Sequence, residues 1–191
     1  MSLAHVTSAL DRLASLAGAC KPLAAQLDRV AARYAETLRG GGTLFFCGNG
    51  GSAADAQHLA TEYVVRYTAT RRALAAIALS TDSSVLTAAG NDLGFEQIFA
   101  RQVEALCRRG DLVVLHSTSG RSPNLLAAAR AARGRGAGTV AFVGQAGGPL
   151  AGEVDEAVTV PSAETSQIQV MQLALEHIVV ELVEQALLGG T

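Results

Sequence analysis

The sequence predicts an α/β protein: a five-stranded parallel sheet, doubly wound in three layers, with helices on both faces and further helices ahead of the first strand. Three observations predict it. Five apolar runs of strand length alternate with stretches of helical periodicity. Those runs are continuously apolar, as strands covered on both faces must be, instead of alternating as half-exposed strands do. Finally, the two turns richest in glycine and serine follow the first and third runs, at the edge of such a sheet where ligands bind.

The elements follow in order. From residue 9 to residue 38, leucines and valines recur at helical spacing (Leu13, Leu16, Leu23, Leu27, Val30), broken at Lys21-Pro22, where proline removes a backbone donor. Two helices are therefore expected, closed by Gly40-Gly41-Gly42. The strand-like runs are residues 43–47, 73–79, 112–116, 139–143 and 157–160. Helical stretches are expected at 53–65, 83–89, 97–107 and 122–133, with a long final one at 167–188. Alternation of this kind builds βαβ units, whose right-handed crossovers place helices on both faces. The sequence contains no repeat, low-complexity stretch or linker, so one domain spans 1–191. Residues 1–40 form helices that pack in an oligomer, and 41–191 form the sandwich.

Composition narrows the function. At 49% hydrophobic and 17% charged, the 191-residue chain is not disordered and has more apolar surface than one small monomer needs, which favours an oligomer. A net charge of −2 offers no basic field for nucleic acid. No apolar run reaches the roughly 18 residues of a membrane span, and no signal sequence is recognisable. Cys20, Cys47 and Cys107 are odd in number and lack metal spacing, so they read as packing residues of a reducing compartment. The expected protein is soluble and cytoplasmic.

Chemistry is then sought after the strands. Gly48-Asn49-Gly50-Gly51-Ser52 allows backbone N–H groups to approach an anion at a helix start. Ser117-Thr118-Ser119-Gly120-Arg121-Ser122 gathers four hydroxyls at another, and together these donors suit a phosphate without a lysine. Each loop alone reads equally well as a turn and cap. His58 and Glu62, at i and i+4, share a helix face and could converge on a proton or metal, although such pairs are commonly surface pairs. Gln169 and His177 lie eight residues apart on the apolar final helix, where a lone histidine is usually a core residue. Glu164, Glu176, Glu181 and Glu184 read as a solvated face or caps. Asn91-Asp92, before Gly94, reads as a turn with an Asx cap.

The strings CGNGGSAADAQHLATE, AAGNDLGFEQIFARQVEAL, GDLVVLHSTSGRSPN and SQIQVMQLALEHIVVELVE resemble the phosphoheptose (sedoheptulose 7-phosphate) isomerases of the sugar-isomerase, or SIS, domain superfamily. The similarity runs in order from about Gly42 to the C-terminus. The resemblance implies a flavodoxin-like fold, aldose–ketose isomerisation, a homotetramer with sites built from neighbouring subunits, and one zinc per subunit. It implies further that Asn49, Gly50, Gly51, Ser52, Asn91 and Asp92 contact the sugar phosphate, with Ser117, Thr118, Ser119 and Ser122 on the phosphate. Glu62 and His177 become the catalytic pair, and His58, Glu62, Gln169 and His177 the metal ligands. Arg66 matches a family arginine. The sequence departs from the family at Arg121 (usually Asn), Ser166-Gln167 (usually a polar residue and Arg) and Val170 (usually Glu), positions that flank the site and bear on the choice of sugar. Two other readings remain open: a nonenzymatic SIS regulator that binds phosphosugar or a replication initiator, and an isomerase of a different sugar phosphate.

Overall fold

The structure is a computed structural model and describes residues 3–189. Helices α1 (Leu3–Ala19) and α2 (Ala24–Arg39) precede the sheet and are separated by a short 3-10 turn at Lys21–Leu23, the position of the proline. Then follow β1 (Leu44–Gly48), α3 (Gly51–Val64), β2 (Ala76–Ala78), α4 (Ser83–Asp92), a 3-10 turn at Phe95–Gln97, α5 (Ala100–Leu106), β3 (Leu112–Ser117) and α6 (Pro123–Arg135). The chain ends with β4 (Gly138–Val143), α7 (Gly148–Ala151), β5 (Glu156–Thr159) and α8 (Thr165–Leu188). All strand pairs are parallel, in the order β2-β1-β3-β4-β5. The chain therefore reverses its direction of winding between β1 and β3, and the carboxyl ends of those two strands open a crevice.

Continuous apolar runs become central strands because each residue has a layer to bury into. Every residue of β1 and β3 is buried, whereas the edge strands β2 and β5 are largely half-exposed. Alternate residues feed two cores. Leu44 and Phe46 of β1 join α1, α2, α3 and α8 on one face, and Phe45 and Cys47 join α4, α5, α6 and α7 on the other. All three cysteines are buried and unpaired, in keeping with a packing role.

Several boundaries differ from expectation for identifiable reasons. β2 covers three residues instead of seven because its register with its only partner, β1, runs from Leu44 opposite Ala76 to Phe46 opposite Ala78, with one backbone bond beyond it at each end, at Ala75 and Leu79. The segment expected as one helix at 97–107 splits into a 3-10 turn and α5, after a chain reversal at Gly94 with φ of 92°. Asn91 and Asp92 are not a turn with an Asx cap but the last residues of α4, whose cap is at the other end, where Asp82 accepts from the Val85 N–H at 3.0 Å. The Glu176 and Glu184 side chains, read as solvated or capping, are buried; Glu164 does stand at the N-cap of α8, and Glu181 is exposed.

Candidate active site

The two loops at the crevice are built by glycine and by amide pairing. Gly50 takes φ 58° and ψ −121° as the chain swings from β1 into α3, a conformation that L side chains avoid. At Gly51 a Cβ would stand 2.6 Å from the amide of Gln169, so the missing side chain is what lets the start of α8 lie against this loop. Across the crevice, Asn49 and Asn124 exchange two side-chain hydrogen bonds of 2.9 and 2.8 Å and staple the β1 loop to the first turn of α6. The Asn49 side chain is thus committed to Asn124, a partner that the sequence did not suggest.

The second loop holds its shape with its own hydroxyls. Ser117 Oγ accepts from the Gly120 N–H at 2.9 Å, and Ser119 Oγ accepts from the Arg121 N–H at 3.3 Å. Ser122 stands at the N-cap of α6 without using its hydroxyl as a cap. Thr118, Ser119 and Arg121 line an open cavity of about 300 Å³, together with Gln145, Ser162, Thr165 and Ile168. Hydroxyls, a helix N-terminus and one guanidinium favour an anion there, and the cation is Arg121, not a lysine.

Beside these loops, α3 and α8 bring together the two sequence-distant pairs. His58 Nε2 lies 3.2 Å from Glu62 Oε1 and 3.0 Å from His177 Nε2. The three side chains offer ligand atoms all within 4.8 Å of one another. Two of these distances approach the edge of a tetrahedron whose metal–ligand bonds are about 2.0–2.1 Å, an edge of roughly 3.3 Å, so the donor set fits zinc. His58 is the most open of the three, while Glu62 and His177 are half-buried. The Tyr67 ring stacks on the His177 imidazole, with centroids 5.4 Å apart and planes 14° apart.

Beneath them lies a layer of buried polar groups. His116, at the end of β3, and Glu176, next to His177 on α8, are wholly buried and meet at 3.0 Å, and Tyr34 donates its hydroxyl to the same carboxylate at 3.3 Å. Asp55, one turn before His58, keeps one carboxylate oxygen buried and unpartnered. Burial raises the Asp55 carboxyl above its usual range, against the opposing pull of His116 and His58. Tyr63 Oη, His116 Nδ1 and Gln172 Oε1 are likewise buried without a protein partner.

Residues 10–144 match the SIS domain family. The chain is 54% identical over 158 residues to the phosphoheptose isomerase of Roseiflexus sp. (strain RS-1), covering 83% of this chain and 80% of that one. The chain belongs to the phosphoheptose isomerase family. Identity to the Akkermansia muciniphila member is 47% over 178 residues, covering 93% and 90% of the two chains. In structure, it superposes on phosphoheptose isomerase GmhA from Neisseria gonorrhoeae with a TM-score of 0.89 at 36% identity, covering 95% and 97% of the two chains. For a phosphoheptose isomerase from Francisella tularensis the TM-score is again 0.89, at 31% identity and 97% and 99% coverage.

In this member of the phosphoheptose isomerase family, then, His58, Glu62 and His177 converge, and Gln169 lies over the first loop at Gly51. Ser52 is buried in the first turn of α3. Asn91 and Asp92 end α4, where the Asn91 amide donates to Asp92 at 2.7 Å; among the described residues their side chains make no bond to the trio. Sequence reading missed Asp55, Tyr67, Asn124 and the His116–Glu176 pair. Asp55 had a signal, since it falls three residues before His58 and seven before Glu62, on the same helical face. His116 had another, being an ionisable residue in an otherwise apolar central run, which demands a buried partner. Tyr67 had none.

Proposed function

We propose that the chain is an aldose–ketose isomerase that interconverts sedoheptulose 7-phosphate and an aldoheptose 7-phosphate, D-glycero-D-manno-heptose 7-phosphate, through a cis-enediol. The observation that supports this reading is the convergence of Glu62, His58 and His177 beside the glycine-rich and serine-rich loops at the crevice. The relatives named above as phosphoheptose isomerases support the substrate class.

Phosphate is held by the Ser117, Thr118, Ser119 and Ser122 loop at the α6 N-terminus, and the Asn49 to Ser52 loop borders the sugar. Glu62 takes a proton from C1 of the open-chain ketose and returns it to C2, so one carboxylate serves both carbons. His177 moves a proton at the oxygens, opening the ring and protonating the enediolate. His58, Glu62 and His177, with Gln169, are the residues that would hold zinc. Bound there, zinc supplies Lewis acidity toward the C1 and C2 oxygens. A regulator that only binds phosphosugar has no use for a carboxylate and two imidazoles converging beside its ligand, which favours the enzyme.

The same reading includes a homotetramer in the cytoplasm, with Asn91 and Asp92 acting in assembled sites. Leu3, Val6 and Leu10 of α1 and Ile178 of α8 are exposed. An apolar cavity of about 400 Å³ also opens between α1, α2 and α8, surface that association would cover. Three unpaired buried thiols suit a reducing compartment. Among the described residues no helix is long and apolar enough to cross a membrane.

Glu62→Gln and His177→Gln proteins test the assignment when assayed for aldose formation from sedoheptulose 7-phosphate. Both are expected to fold and to lose kcat by on the order of a thousandfold; full turnover in either removes that residue from the mechanism. Addition of zinc is expected to raise the melting temperature of the wild-type protein and not that of His58→Ala, since only a metal bound to the native state stabilises it.

A further inference from the structure

The chain that leaves α3 after Glu62 does not wander. Residues 67–71 fold back over α8 and are fastened to one carboxylate, that of Glu184, which is 2% exposed and lies two turns beyond His177 on the same helix. Its oxygens accept from the N–H groups of Tyr67 at 3.1 Å, Thr68 at 3.1 Å and Ala69 at 2.9 Å, and from the Thr68 hydroxyl at 3.1 Å. Arg71 Nε completes the set at 2.9 Å, in an ion pair whose two side chains are each 3% exposed.

The rest of the Arg71 guanidinium faces the other way. Its Nη2 donates to the Glu62 carbonyl and its Nη1 to the Tyr63 carbonyl at 2.6 and 2.9 Å, filling acceptors that the last turn of α3 leaves open. A single buried pair thus ties the backbone of the residue carrying the Glu62 carboxylate to the helix carrying His177. The loop so anchored lays the Tyr67 ring flat on the His177 imidazole, whose other neighbour is His58, ring to ring at 5.0 Å and 64°.

Stability alone does not account for this arrangement. A buried ion pair is often no better for stability than apolar residues of the same volume. It does hold a geometry, because five donors on one carboxylate leave the loop a single way to sit. We infer that Tyr67 is a positioning residue for the isomerisation: clasped by Glu184 and Arg71, its ring fixes the plane of the His177 imidazole relative to Glu62. The ring acts by stacking and its hydroxyl is not required. This inference rests on the role proposed above for His177, and the experiment separates the two.

In Tyr67→Ala, kcat on sedoheptulose 7-phosphate is expected to fall on the order of 10- to 100-fold with KM within about threefold, as for a catalytic group misplaced by about an ångström. Tyr67→Phe restores wild-type kcat, which a structural role for the hydroxyl would not permit. A second readout needs no substrate. The chain has four histidines, and the His177 ring signals, assigned by their loss in His177→Gln, are expected upfield in the wild-type and Tyr67→Phe spectra and unshifted in Tyr67→Ala. Unchanged kcat in Tyr67→Ala, or an equal loss in Tyr67→Phe, overturns the positioning role. His177 signals that do not move overturn the stacking itself. An inactive wild-type enzyme with the ring shift intact would sink the proposed reaction and leave the stacking standing.

Discussion

The two faces of the sheet are built from the same strands and hold different things. On the face packed by α4 to α7, buried polar side chains find protein partners; Gln102, for instance, donates to the Leu79 and Ile98 carbonyls at 2.9 and 2.8 Å. The face packed by α3 and α8 holds all four buried side-chain atoms that lack a protein partner among the described residues, on Asp55, Tyr63, His116 and Gln172. It also holds the His116–Glu176 and Arg71–Glu184 pairs. An unpartnered buried polar atom costs free energy and persists where function keeps it or water reaches it. The comparison teaches that the unpartnered polar atoms collect on the face that carries His58, Glu62 and His177, while the opposite face reaches the crevice through the N-terminus of α6.

The sharpest way to break this division is to injure each face once. His177→Gln should lose on the order of a thousandfold in kcat while melting near the wild type. Phe99→Leu, in the opposite core, should lose about 1–2 kcal/mol of stability with the kcat of the folded protein unchanged. A catalytic defect in Phe99→Leu would mean that the two faces are coupled. A smaller effect is expected where the faces meet at the crevice. Asn124→Ala leaves the Asn49 amide without its partner, and KM should rise about tenfold while kcat changes little, measured by initial rates.

The smallest expected effect is electrostatic. Burial by itself would raise the Glu184 carboxyl, but the N–H groups of Ala69, Tyr67 and Thr68 outweigh it and hold the group below its usual value of 4.5. A depressed carboxylate contributes stability that is fully present above the unfolded value and is lost as pH falls through the folded one. Urea unfolding should therefore show wild-type stability declining below about pH 4.5 more steeply than that of Glu184→Gln, whose side chain does not titrate. Equal slopes would mean that the clasp is not charged.

What could be read in the sequence follows from which interactions are local. The central strands were legible because burial on both faces leaves a continuous apolar run, and the two loops because glycine and serine mark their turns. His58 and Glu62 were legible as a helical pair. Glu176 and Glu184 were misread because the groups that bury them are distant in sequence: His116 lies 60 residues before Glu176, and Arg71 lies 113 before Glu184. No periodicity on α8 distinguishes a carboxylate that meets such partners from one that meets water. Tyr67 was invisible for the same reason, since its place on His177 is set by Glu184 and not by its neighbours. β2 was drawn too long because its length depends on its register with β1.

The most direct test of the account is incubation of the zinc-supplied protein with sedoheptulose 7-phosphate in deuterated water, followed by NMR of the sugar. The account predicts an aldoheptose 7-phosphate carrying deuterium at C2, formed by the wild-type protein and not by Glu62→Gln. Neither product nor exchange, or the same product from Glu62→Gln, would contradict an enediol isomerisation run by the carboxylate at the crevice.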